Sequence, residues 1–133
     1  MSNDSQAGRK RILIVDDSED MRDLLAQILE EAEEYELLFA ENGAQALHVS
    51  TSNQPDLILM DMSLPGMSGW DVVAQMRKMP EFLFTPIIAV TAHVSPEDQD
   101  RALAIGCNTH LGKPFDVVVV LDTIAELLEA NTR

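Results

Sequence analysis

Residues 57–61 read Leu57-Ile58-Leu59-Met60-Asp61, an unbroken apolar run that stops on a carboxylate. The same event recurs along the chain. Ile12-Leu13-Ile14-Val15 ends on Asp16 and Asp17, Ile87-Ile88-Ala89-Val90 ends on Thr91, and a shorter stretch ends at Lys113-Pro114. Short continuous runs of Ile, Leu and Val read as strands covered on both faces, the condition of a parallel sheet. Parallel strands share one C-terminal edge, and ligands of open α/β folds bind along it. The pattern predicts that three carboxylates, a hydroxyl and an ammonium meet at one place, a combination suited to a metal ion and a phosphoryl group.

The intervening segments read as helices. Arg11–Asp16 is the first expected strand; Met21, Leu24, Leu25, Ile28, Leu29 and Ala32 then follow at helical spacing. Ser18 suits the N-cap of that helix, and Glu19 and Asp20 suit its first turn, where carboxylates complement the helix dipole. Further strands are expected at Glu36–Ala40, Asp56–Asp61, Pro86–Val90 and Thr109–Leu111. Further helices are expected at Ala44–Ser52, at Trp70–Met79, between Pro96 and Gly106, and at Val117–Glu129. Leu64–Gly69 is a loop by its Pro and Gly content. Strands alternating with helices imply βαβ units, right-handed crossovers and a parallel sheet with helices on both faces. No repeat or interdomain linker interrupts the pattern, so the expected organisation is a disordered leader, residues 1–8, and one domain, residues 9–133.

Composition narrows the functional classes. The 133 residues are 46% apolar and 24% charged, as in an ordinary soluble domain. The net charge of −14 and the lack of a basic cluster beyond Arg9-Lys10-Arg11 argue against direct nucleic-acid binding. The acidic run Glu30–Glu36 reads as a solvated face, with an acidic docking patch as the alternative. No stretch approaches the ~20 apolar residues of a membrane helix, and the polar N-terminus lacks a signal-peptide core. A single cysteine, Cys107, fits a reducing compartment, so a cytoplasmic location is expected.

Adjacent carboxylates such as Asp16 and Asp17 are costly to gather at one strand end unless a cation compensates their charge. Mg²⁺ takes one or two carboxylates, keeps several waters and completes its octahedron with phosphate oxygens, and an all-oxygen donor set disfavours zinc or copper. Asp61 can serve as a nucleophile forming an aspartyl phosphate. Lys113 offers a compact charge for phosphate and Thr91 a hydroxyl donor.

These pieces together resemble the receiver domain of bacterial two-component response regulators, of the single-domain, chemotaxis-regulator-like kind. The resemblance rests on Ile12-Leu13-Ile14-Val15-Asp16-Asp17, on Met60–Gly69 with its Pro65-Gly66, on Ala89-Val90-Thr91-Ala92 and on Lys113-Pro114-Phe115, each after its own strand. It covers about residues 10 to 130. It implies a flavodoxin-like, doubly wound, five-stranded parallel sheet in the order 2-1-3-4-5. Asp61 would accept a phosphoryl group from a sensor histidine kinase or histidine phosphotransfer protein. Asp17, Asp61 and the backbone carbonyl of Ser63 would bind Mg²⁺ directly, and Asp16 would act through a metal-bound water. Lys113 would hold the phosphoryl group, with its bond to Pro114 often cis. Thr91 would couple phosphorylation to the face of the fourth helix, fifth strand and fifth helix, where a downstream protein target binds. The resemblance implies a monomer or weak dimer, with no turnover beyond self-phosphorylation and slow autodephosphorylation.

The chain departs from the family at one coupling position. Three residues before Lys113 the family commonly has Tyr or Phe, and here stands His110, which is smaller and can titrate. Ser63 and His93 occupy positions that tune acyl-phosphate hydrolysis in such proteins. Among other residues, Cys107 reads as a buried thiol, His48 as a surface residue and Trp70 as packing at the start of the third helix. Of the run Val117–Val120, one or two residues are expected to stay exposed, as an edge of the core or as a partner or dimer surface. A phosphatase of the haloacid dehalogenase type would need a second Asp where Ser63 stands and a cap segment for which the chain has no room. A nucleotide-binding protein would need a Gly-rich loop after the first strand, and none is there. A role as intermediate or sink in a His-Asp phosphorelay is the alternative to direct regulation of a target.

Overall fold

A computed structural model of the chain describes residues 8–32, 34–92 and 95–130. Five strands alternate with five helices: β1 (Lys10–Val15), α1 (Glu19–Glu30), β2 (Tyr35–Ala40), α2 (Gly43–Asn53), β3 (Leu57–Asp61), α3 (Gly69–Met76), β4 (Ile87–Thr91), α4 (Pro96–Ile105), β5 (Thr109–Gly112) and α5 (Val117–Ala130). All pairings are parallel and the strand order is β2-β1-β3-β4-β5, the order expected. Of the expected leader, all but Gly8 lies outside the described residues, as does His93.

The continuous apolar runs are explained by two half-cores. Leu13, Val15, Ile58, Met60, Ile87 and Ala89 point to one face, under α2, α3 and α4. Ile12, Ile14, Leu57, Leu59, Ile88 and Val90 point to the other, under α1 and α5. Alternate side chains leave a strand on opposite faces, so a strand covered twice must be apolar throughout. All five residues of β3, the middle strand, are buried, including Asp61 at its end.

Local chemistry marks the helix starts. Ser18 caps α1 by accepting from the Met21 amide, as expected, and Asn42, Ser68 and Ser95 cap α2, α3 and α4 in the same way. Gly106 closes α4 at φ +121°, a left-handed-side geometry that suits glycine.

Two expectations need correction. The third helix, expected to reach Met79, ends at Met76 and is followed by a 3₁₀ turn, Pro80–Phe82. Pro80 cannot continue a helix and disfavours helical backbone before it. Arg77 then finds partners outside the helix, donating to the Gly106 carbonyl from Nε at 3.0 Å and Nη2 at 2.8 Å and to the Phe82 carbonyl from Nη1. The turn drives Phe82 into the core, which no periodicity announced. The valine run is more exposed than expected: Val117, Val118 and Val119 are all exposed, and Val120 alone is buried. Val120, Ile124 and Leu128 of α5 are buried against the sheet, with half-buried Leu121 and Leu127 beside them, and the first turn extends beyond this contact.

Candidate functional site

Strand register assembles the site. Val15 pairs with Met60, so Asp16 follows β1 beside Asp61 at the end of β3. Asp61 pairs with Val90, which places Thr91 one residue further along, and Thr91 pairs with Gly112, which places Lys113 just past β5. The expected residues therefore reach one edge from four strands. The Lys113 amide donates to the Thr91 carbonyl at 3.0 Å, and the Lys113–Pro114 peptide is cis, as the resemblance implied.

Asp16 and Asp61 are almost fully buried, at 1% and 3% exposure, while Asp17 is exposed. Carboxylate oxygens of Asp16, Asp17 and Asp61 lie within 4.8 Å of one another. Each buried carboxylate is oriented by the backbone two residues on. The Ser18 amide donates to Asp16 Oδ1 and the Ser63 amide to Asp61 Oδ1, both at 2.9 Å. The opposite oxygens face Lys113, whose Nζ lies 3.3 Å from Asp16 Oδ2 and 3.9 Å from Asp61 Oδ2. Arg22 was not singled out in the sequence; its Nη1 donates to the Asp16 carbonyl at 2.7 Å and ties α1 to the strand end. Nothing local marks that role, because half-buried Arg22 reaches back from α1 to the strand end six residues earlier.

The electrostatics of the cluster are unbalanced. Three carboxylates, two of them buried, against one ammonium leave surplus negative charge at this edge. Burial pushes the Asp61 carboxyl above its ordinary pKa; the charges of Asp16 and Asp17 push the same way, and the Ser63 amide and Lys113 only partly oppose them. An oxygen-only set that gathers surplus negative charge fits a hard divalent cation.

A pH consequence follows. Because the folded-state pKa of Asp61 is raised, the fold binds its proton more tightly than the unfolded chain does. That contribution is fully present below the unfolded carboxyl pKa and is lost as pH rises through the folded value, leaving a destabilising charge at neutral pH. Asp61→Asn is therefore expected to be more stable than the wild type at pH 7 in metal-free buffer, by about 1 kcal/mol or a Tm rise of about 3–6 °C. The difference should shrink at acidic pH and on adding Mg²⁺. Thermal melts with and without EDTA check this; equal Tm values at pH 7 would refute the charge imbalance.

Thr91 and His110 are brought together on the α4 side of the sheet. With Met62, Trp70, Ala89, Asp98, Gln99 and Ala102 they line a narrow cleft whose free space, about 10 Å³, admits about one water. Ser63 lies exposed in the turn after β3. Cys107 is buried as expected, and burial pushes its thiol up to about 11, which makes it a poor nucleophile. His48 is exposed, as expected.

A doubly wound parallel sheet with a buried acidic cluster and a lysine at its carboxyl edge defines a flavodoxin-like receiver. The chain belongs to the response regulator receiver domain family, whose model matches residues 12–125. It is 36% identical over 119 residues to the polar-differentiation response regulator DivK of Brucella anthropi, covering 90% of this chain and 96% of that protein. It is 35% identical over 124 residues to the sporulation initiation phosphotransferase F of Bacillus subtilis, covering 93% and 98%. Among solved structures, the chemotaxis protein CheY4 of Vibrio cholerae superposes with a TM-score of 0.84 at 32% identity, covering 90% of this chain and 98% of that one. The protein is thus a two-component signalling receiver and not a metabolic enzyme. Among the described residues no helix is long and apolar enough to cross a membrane.

Proposed function

We propose that this receiver is a switch that accepts one phosphoryl group on Asp61 from a phosphohistidine of a kinase or phosphotransfer protein, in the cytoplasm and with Mg²⁺ bound. The observation that carries this is the pairing of a buried Asp61, fixed by the Ser63 amide, with Lys113 Nζ 3.9 Å away and the carboxylates of Asp16 and Asp17 beside it.

An Asp61 oxygen attacks phosphorus while the bond from phosphorus to the imidazole nitrogen breaks. The nitrogen keeps the electron pair and takes a proton from solvent. The Ser63 amide holds the other Asp61 oxygen and so aims the attacking one. Lys113 moves from its place between Asp16 and Asp61 onto a phosphoryl oxygen. Asp17, Asp61 and the Ser63 carbonyl would hold Mg²⁺, with Asp16 acting through a bound water, and the cation would offset the charge between an anionic nucleophile and an anionic donor. The Thr91 hydroxyl turns to the phosphoryl group, and the change passes through His110 to the α4–β5–α5 face and a protein target. Exposed Val117, Val118 and Val119 at the start of α5 offer that face apolar area.

A relay role is the second reading, favoured by the similarity to a protein named as a phosphotransferase. Return of the label from Asp61 to a histidine phosphotransfer protein would distinguish it.

With Mg²⁺ and acetyl phosphate, the chain is expected to take up one hydroxylamine-labile phosphoryl group. Chelation with EDTA should slow uptake about 10²-fold or more, the scale of losing a major charge-stabilising group. Intact-mass measurement over time reads both. Uptake at an unchanged rate in EDTA, or steady phosphate release without a labelled protein, would overturn the proposal.

A further inference from the structure

Among the described residues, the cleft that His110 lines holds one other titratable group. The cleft it lines is closed by Ala89 and Thr91 from β4, by Met62 after β3, by Trp70 from α3 and by Asp98, Gln99 and Ala102 from α4. Asp98 and His110 are the only titratable residues among these. Arg101, also on α4, places its guanidinium 4.0 Å over the ring of Trp70, another residue of the cleft. Asp98 lies in the first turn of α4, where the Ser95 hydroxyl accepts from its amide at 3.1 Å. Among the described residues neither Asp98 nor His110 forms an ion pair in this state.

We propose that Asp98 is the positioning residue for His110: its carboxylate draws the protonated imidazole into the cleft, so that the output state depends on pH as well as on phosphorylation. This rests on the reading of Thr91 and His110 as the switch pair. The free space of about 10 Å³ is too small for an imidazole while Thr91 occupies its side of the cleft. Movement of Thr91 to a phosphoryl group enlarges it. An aromatic ring without charge would enter for packing alone, whereas an imidazolium gains the attraction of Asp98 in a poorly solvated space. Phosphorylation and protonation then favour the same inward state, and linkage makes the coupling reciprocal. Activation raises the His110 pKa. The added stability of the inward state is fully present below the resting pKa and is lost as pH rises through the activated one.

The test is an NMR titration of the histidine imidazoles in the full chain, with His110 assigned by the resonance lost in His110→Gln. With beryllium fluoride and Mg²⁺ bound, so that the cleft is open, Asp98→Asn is expected to lower the His110 midpoint by about one pH unit, the scale of removing one nearby opposite charge, and to leave His48 unchanged. Asp98→Ser, which also suits a first helical turn, should act alike if the asparagine variant folds poorly. Beryllium fluoride with Mg²⁺, an acyl-phosphate mimic, should raise the wild-type midpoint and raise it less in Asp98→Asn. Trp70, the single tryptophan and part of the same cleft, should report the transition by fluorescence. A His110 midpoint that ignores both Asp98 substitutions in the beryllium fluoride state overturns the inference. If acetyl phosphate still labels Asp61 in that case, only the role of Asp98 falls; if Asp61 is never labelled, the switch reading itself fails.

Discussion

Asp61→Asn is expected to reduce phosphoryl uptake from acetyl phosphate by about 10³-fold or more, to the background of the assay. The carboxamide keeps the shape of the side chain and can still accept from the Ser63 amide through its oxygen, so the turn after β3 stays in place. What it lacks is an anionic oxygen able to attack phosphorus. It also removes one of the three negative charges of the cluster. The variant should thus be inert and at the same time more stable in metal-free buffer at pH 7. A merely misfolded protein would be inert and less stable, so the pair of results separates loss of the nucleophile from loss of structure. Undiminished labelling in the variant, mapped to another residue, would remove Asp61 from its role.

The second large effect is expected at Gly69. A Cβ placed there would collide with the Asp61 carbonyl and lie 2.6 Å from Met62 Cα, both of them backbone. Neither can move without shifting the end of β3, so Gly69→Ala should cost about 3 kcal/mol, at the upper end of overpacking effects, and lower Tm by on the order of 10 °C. Because the strain falls on the residue that carries the site, phosphoryl uptake should also slow in the fraction that remains folded. Gly66→Ala is the internal control. Gly66 sits at φ +71° with nothing within 4 Å of an added Cβ, so its cost is backbone conformation alone, about 1 kcal/mol. Thermal melts rank the two variants. A Gly69→Ala protein no less stable than Gly66→Ala would show that the close approach of α3 to the end of β3 is absent in solution.

The readability of this protein varies with the range of the forces involved. Asp61 was legible because β3 lies in the middle of the sheet with both faces covered, so its residues before the site had to be apolar. β2 is an edge strand with mostly half-buried residues, and its beginning at Tyr35 was less sharply marked. The start of α3 was readable to within one residue from the Pro and Gly content of the loop before it, but its end was not. Arg77 leaves the helix to hold Gly106 and Phe82, residues that lie near it only after folding. The valine run looked like a core edge because four valines in a row have no helical period. Which of them is buried depends on where the sheet ends beneath α5.

The amino-acid sequence by itself determined the class of fold and the residues that meet at its carboxyl edge. Both follow from local rules: an apolar run sets a strand, the first polar residue after it marks the strand end, and parallel packing brings like ends together. Only the tertiary structure decided how those residues are held. Lys113 rests against Asp16, 97 residues away in the chain, and Asp98 faces the same cleft as His110. Such distances depend on strand register and helix placement, which the packing of the whole core selects and no local run of residues encodes.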